Sequence, residues 1–448
     1  MRLSCLSLGM FVLFCWSVPG HAVDLELTVN SFLDVPDDNP GDGLCRPVNA
    51  VGNTCTLRAA IMEANANAGA HSIFLPGGTY QLTRTGILED QALTGDLDIR
   101  QTIRVFSADD DRALINGRNI DRVFDVHSGG TLILRSVNVI GGFADEVDNV
   151  AGGAVRVAYG GALSLFLVDI SNNVANVGGG IYSDGWVNID RSRLFNNALR
   201  GGQLTPEFRT GTAIRSRGKL MIGRSTFDQN GLIPGGTGLL TGRRVIQSSA
   251  DGLEPAPSLT IWNSTFHGNT GGIRSEKVHT SIAASTLSAN GLRGVSFVVD
   301  DSQLGVEQLR IVRTVLFGHD RDCNDLPSSA EAAWISSTIF NASSDASCGF
   351  SGVNGFENIS NPFNGGLADH GGGTLTLMPK SFGVLVDPAG SDCQDLVPSF
   401  NDLDQRNFPR PLDGNGDGTA LCDIGAVEFN RDTDPVLSDG LFSDRFEQ

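Results

Sequence analysis

A twelve-residue pattern that returns seven times between residues 131 and 319 constrains this chain more than any other feature. The copies are TLILRSVNVIGG (131–142), ALSLFLVDISNN (162–173), WVNIDRSRLFNN (186–197), KLMIGRSTFDQN (219–230), SLTIWNSTFHGN (258–269), HTSIAASTLSAN (279–290) and QLRIVRTVLFGH (308–319). In register, the second position is Leu132, Leu163, Val187, Leu220, Leu259, Thr280 and Leu309, and the fourth is Leu or Ile throughout. The ninth is always apolar, from Val139 through Phe227 and Phe266 to Leu316. The seventh holds Ser192, Ser225, Ser264 and Ser285, and the twelfth holds Asn173, Asn197, Asn230, Asn269 and Asn290.

Alternation with period two is strand spacing. Each copy is too short to bury its face alone, and the copies start 21 to 39 residues apart, so one copy reads as part of one turn of a solenoid. The expected fold is all-β: a right-handed parallel β-helix of roughly ten to twelve coils, stacked about 4.8 Å apart. Positions two, four and nine point inward. Position-twelve asparagines are expected to take a left-handed turn and to ladder their amides from coil to coil. A β-sandwich of irregular strands is the alternative, but it gives no reason to keep Asn in one column.

Residues 1–22 read as a secretory signal, with Arg2, an apolar run from Leu3 to Val18, and Gly20-His21-Ala22 as the cleavage site. No later stretch is long and apolar enough to span a bilayer. The expected product is an exported, soluble monomer at the cell surface or outside it. A formal net charge of −19 argues against nucleic acid and anionic membranes as partners. Of eight cysteines, Cys5 and Cys15 fall in the leader. The others form local couples, and Cys45–Cys55, Cys323–Cys348 and Cys393–Cys422 are the expected disulfides in an oxidising compartment. Zinc is the alternative, but there is no CxxC.

Ahead of the coils, Leu57, Ala60, Ile61 and Ala64 make one apolar helical stripe, predicting a helix over 56–67 with Thr56 as its N-cap. Its expected place is over the apolar end of the solenoid. The division is then a cap over 23–69, coils over 70–350, a closing module over 351–430, and an acidic tail over 431–448 with a sorting or attachment role.

NPGDGLC…CTLRAAIMEANA resembles the N-terminal domain named for its Cys-Ser-Leu-Arg-Glu-Ala motif, found on exported bacterial β-helix proteins. Cys55, Thr56, Leu57, Arg58, Ala60 and Ile61 match, and Ala59 stands where Glu is usual. Segments 89–99 and 116–126 look like that family's first coils. Gly153-Ala154, Gly179-Gly180-Ile181 and Gly272-Ile273, with Phe227–Asn230 and Phe266–Asn269, are similar to polymorphic outer-membrane-protein repeats. Residues 404–429 look like the choice-of-anchor-type module that closes such proteins. The resemblance implies a β-helix and mostly leaves activity unassigned.

Candidate chemistry is sparse. Asp413, Asn415 and Asp417 have the spacing of a calcium loop, with Gly418 for the sharp turn; position twelve is Ile424, which leaves Asp423 to supply a further oxygen. The alternative is a tight turn held by its own Asx hydrogen bonds. Asp109-Asp110-Asp111 is a faint echo of polysaccharide-hydrolase strings. Arg191, Arg224 and Arg313 share column six and, with Arg193, read most simply as solvent-facing. Phe166 and Trp262 share the outward column five and are the candidate sugar-stacking residues. No nucleophile elbow, HExxH or Walker loop is present, and no histidine has a companion at ligand spacing. The expected function is adhesion or glycan binding without catalysis. A polysaccharide lyase or glycoside hydrolase with its cleft on the outer face is the alternative, and a structural spacer the second.

Overall fold

The computed structural model describes residues 24–108, 111–144, 151–200, 210–231, 246–249 (backbone only), 257–298, 309–324, 340–350, 355–388, 393 and 402–434. The leader, Asp109-Asp110, residues 201–209, 232–245 and 250–256 between copies, and the tail beyond 434 lie outside them.

Three long parallel sheets form the walls of a right-handed β-helix. The first has ten strands: Glu26–Thr28, Ala70–Phe74, Thr102–Phe106, Thr131–Arg135, Ala162–Phe166, Trp186–Asp190, Lys219–Gly223, Ser258–Trp262, His279–Ala283 and Leu309–Val312. The second also has ten, from Thr79–Gln81 to Ala342–Ser343, and the third has nine, from Leu97–Ile99 to Arg321–Asn324. Ten, ten and nine described strands in the three walls sit at, or one below, the lower end of the expected coil number. The repeated pattern is the first two walls: positions two and four line the first in register, and position nine lines the second. These side chains are buried, and Phe227 and Phe266 stack with ring centroids 4.7 Å apart. Each aliphatic side chain so buried contributes about 1.5–3 kcal/mol.

The corners explain the polar columns. Position six carries the left-handed turn in every copy, at Ser136, Leu167, Arg191, Arg224, Asn263, Ala284 and Arg313, with φ between 45° and 55°. Position eleven does so again, at Asn172, Asn196, Gln229 and Ala289 among others. The expectation that position twelve itself turns left is therefore corrected by one residue. Its asparagines point inward and ladder instead: Asn173 donates to Asn197 at 3.0 Å, Asn197 to Asn230 at 3.1 Å, Asn230 to Asn269 at 2.9 Å and Asn269 to Asn290 at 2.7 Å. At the other corner, each serine of position seven accepts the N–H one coil back and donates to a carbonyl two residues earlier; Ser225, for example, accepts from Ser192 at 3.1 Å and donates to Gly223 at 2.6 Å. The buried side chains of these serine and asparagine columns thus keep partners.

At the N-terminal end, Glu26–Thr28 pairs with Ala70–Phe74 and covers that edge. The helix α1 (Leu57–Ala66) follows Thr56, whose hydroxyl accepts from the Ala59 N–H at 3.1 Å. Arg58 is fully buried and pairs with Asp34 at 2.5 Å. All three expected disulfides form, with Cα separations of 5.2, 4.9 and 5.3 Å.

The closing module reaches back along the corner between the first and second walls. Asn263 donates to the Leu403 carbonyl, Gln405 bonds Thr265, Thr226 and Thr374, and Ala426 N–H donates to Thr286. Cys393–Cys422 packs there against Ala283, Ala284 and Val312. Within the module Glu428 accepts from Arg410 at 2.8 Å, both side chains fully buried. Burial first, despite Arg410, pushes Glu428 up to about 7 from 4.5. A raised carboxyl stabilises the fold fully below its unfolded value and loses that contribution as pH rises through its folded value. The melting temperature is therefore expected to fall between pH 5 and pH 8, and to fall less in Glu428→Gln; equal slopes in the two proteins would refute this assignment.

Candidate functional site

The outward face of the first wall, over its first coils, gathers aromatic and guanidinium groups. Strand pairing sets Phe74, Phe106, Arg135, Phe166 and Asp190 side by side in one column, with neighbours about 4.8 Å apart along the solenoid axis. Phe74 and Phe106 tilt together with centroids 5.6 Å apart. The guanidinium groups of Arg135 and Arg191 lie 5.3 and 5.5 Å from the Phe166 ring centroid, within cation–π range. A groove of about 560 Å³ runs here, lined by Phe74, Arg104, Phe106, Ser107, Ile133 and Arg135 among others. An apolar floor with a few convergent polar groups is the usual make-up of a ligand site.

Of the two aromatics expected to stack on sugars, Phe166 is in this column. Trp262 shares the column three strands further on, with its indole across Gly223, where a Cβ would meet it at 2.2 Å, and only 9 % exposed. The column-six arginines also differ from expectation. Arg313 is fully buried and donates to the Cys422 carbonyl at 3.1 Å. Arg224 holds Asp190 through two bonds of 2.6 and 2.9 Å and reaches Asn407 at 3.0 Å. Arg193 pairs with Asp228 at 2.7 Å. The closing module, contributing Cys422 and Asn407, makes this corner an internal interface.

A second concentration of charge lies on the third wall, whose outward column reads Asp98, Asp125, Arg156, Tyr182 and Arg215 in register. Asp98 is buried, accepts the Ala92 N–H at 2.6 Å and stands 2.6 Å from His127 Nε2. Burial holds its carboxyl above the ordinary value, against the bond from His127. Arg156 pairs with Asp125 at 2.8 Å, and Arg122 with Asp96 at 2.8 Å. Burial and then the Asp121 charge push Asp96 well above its ordinary value. An imidazole oriented by a buried carboxylate is half of an acid–base apparatus. Asp90, Asp98 and His127 are also the one set of three His, Cys, Asp or Glu residues, among the described residues, whose ligand atoms lie within 4.8 Å of one another. One coil separates His127 from Asp98, so spacing along the sequence hid the pair.

In the 413–418 loop, Asp413 accepts from the N–H groups of Gly416 and Gly418 at 2.7 and 2.9 Å, Asn415 from Asp417 at 2.8 Å, and Asp417 from Thr419 at 2.8 Å. Asp423 faces the module's interior, accepting from Asp387 at 2.8 Å and Phe429 at 2.6 Å. The loop as it stands is a series of Asx turns.

No family model matches the chain, and no curated protein matches it. Among solved structures, it is similar to the crystal structure of pectate lyase Pel9A, at 14% identity over 92% of this chain and 98% of that chain, with a TM-score of 0.44. The β-helix here follows from its own strand register, independently of that similarity.

Proposed function

We propose that this protein binds an extended glycan along the outward face of its first wall, without cleaving it, as an exported protein at or beyond the cell surface. The observation that carries the reading is the Phe74, Phe106, Arg135, Phe166 column: rings for sugar faces and a guanidinium for hydroxyls, repeating along the axis a polymer would follow. Three disulfides support an oxidising compartment, and among the described residues no helix is long and apolar enough to cross a membrane. The test is a panel of soluble polysaccharides titrated into the purified protein. Phe106→Ala and Phe166→Ala are each expected to weaken the bound polymer at least about tenfold, or 1.4 kcal/mol. Unchanged affinity in both variants sinks the reading, and a failure of every polymer to bind leaves the spacer.

The oriented His127 favours one second reading, cleavage of the glycan at the third wall. The same panel decides it: new reducing ends or unsaturated sugars that disappear in His127→Ala support cleavage, and their absence supports binding alone. Calcium held by Asp413, Asn415, Asp417 and Asp423 is a separate proposal, in which these oxygens exchange backbone N–H groups for the cation. A melting temperature raised by calcium and lowered by chelator supports it; identical curves count against it.

A further inference from the structure

Resting on the glycan-binding reading of the first wall, we infer that the ligand is an anionic glycan, one bearing carboxylate or sulfate groups along its length. The chain is strongly acidic, at −19, and its described arginines are mostly committed. Asp34, Asp38, Asp96, Asp125, Asp190, Asp228 and Glu428 each neutralise one. The first-wall face departs from that rule. Arg104 donates from Nη1 to the Ala70 carbonyl at 3.2 Å and has no carboxylate partner among the described residues. Among the described residues, no acidic side chain lines the groove that it shares with Arg135.

Arg191, three strands further along, is in the same position. Its one nearby carboxylate among the described residues, Asp190, has both oxygens held by Arg224. Its Nε is buried with no hydrogen-bond partner, and its guanidinium lies over the outer ring of Phe166. Burial, and next the Arg224 cation, hold it below its ordinary value, as befits a cation short of counter-charge. Arg104 and Arg191 are thus under-neutralised cations at two ends of a ladder of rings, about 14 Å apart along the solenoid axis by strand count. A polymer laid along the ladder with an anion on successive sugars satisfies both. A neutral glycan leaves both cations facing its hydroxyls without a counter-charge, which is costly where water is displaced.

The experiment uses the full exported chain and four polymers: alginate, carboxyl-reduced alginate, dextran sulfate and dextran. Alginate is expected to bind at least about tenfold more tightly than its carboxyl-reduced form, with the preference shrinking as sodium chloride rises from about 0.05 to 0.5 M. Arg104→Gln and Arg191→Gln are each expected to remove most of that preference while leaving the melting temperature unchanged. Dextran sulfate binding more tightly than alginate assigns the anion as sulfate, and the reverse assigns it as carboxylate. Equal affinity for the charged and reduced polymers overturns the inference and leaves glycan binding standing. Binding of none of the four, in a panel where no other glycan binds, overturns both.

Discussion

Arg58→Met is expected to lower stability by about 4 kcal/mol, the usual cost of stripping one partner from a buried ion pair. The guanidinium has no solvent exposure and makes five bonds: two to the Asp34 carboxylate and one each to the carbonyls of Ala92, Gly95 and Asp96. Asp34 in turn accepts the N–H groups of Thr83 and Arg84 at 2.6 and 3.0 Å. One residue of α1 therefore ties three stretches of chain that form the first coil. Met fills much of the space but satisfies none of the three carbonyls, and it leaves Asp34 charged in a dry site. Urea denaturation followed by circular dichroism is the check. A loss below about 1 kcal/mol, the range of an exposed pair, shows that the cap is held by its apolar stripe alone. The same bonds tie the Arg58 side chain to the loop preceding Asp98, so the variant is also expected to loosen the His127 pair on the third wall.

Much of this architecture is legible because a parallel coil repeats its side-chain period in register. Leu132, Leu163 and Val187 announce one wall, and Val139, Ile170 and Leu194 the next. The third wall is illegible for a physical reason. Its strands, such as Phe124–Val126, Val155–Val157 and Ile214–Ser216, stand at no fixed distance from the twelve-residue copies, because inserts of variable length precede them. Only the glycines at Gly153, Gly179-Gly180 and Gly272 mark where they begin, and the residue after the next aliphatic is the outward one. Phe74 and Phe106 escaped the pattern in another way. Their strands match it at positions four and five, with Ile73 and Val105 inward, but the corner that follows each is longer than one residue. Arg224 with Asn407, and Asn263 with Leu403, meet across 183 and 140 residues. No local period encodes such contacts, so column six looked solvent-facing when half of it lies beneath the closing module.

Asn230→Leu separates the ladder's hydrogen bonding from its packing, and is expected to cost about 3 kcal/mol. Leucine is close to asparagine in length and suits an aliphatic interior, so a column that mattered only for filling space would tolerate it. The bonds say otherwise. Asn230 Oδ1 accepts both the backbone N–H and the amide of Asn197 at 3.1 Å. Its own amide donates to the Leu194 carbonyl at 2.8 Å and to Asn269 at 2.9 Å. Leucine strands two donors of Asn197 in a site with no water access, each a penalty of about 1–3 kcal/mol. The penalty falls in mid-solenoid, where the coils on both sides depend on the same interface. The same change at Asn188, an outward position of the first wall in register with Ser164 and Met221, is expected to cost under about 0.5 kcal/mol. Denaturant midpoints of the two variants decide the matter. If they coincide, the amides are passengers of the turn beside them, and the left-handed residue at position eleven carries the corner alone.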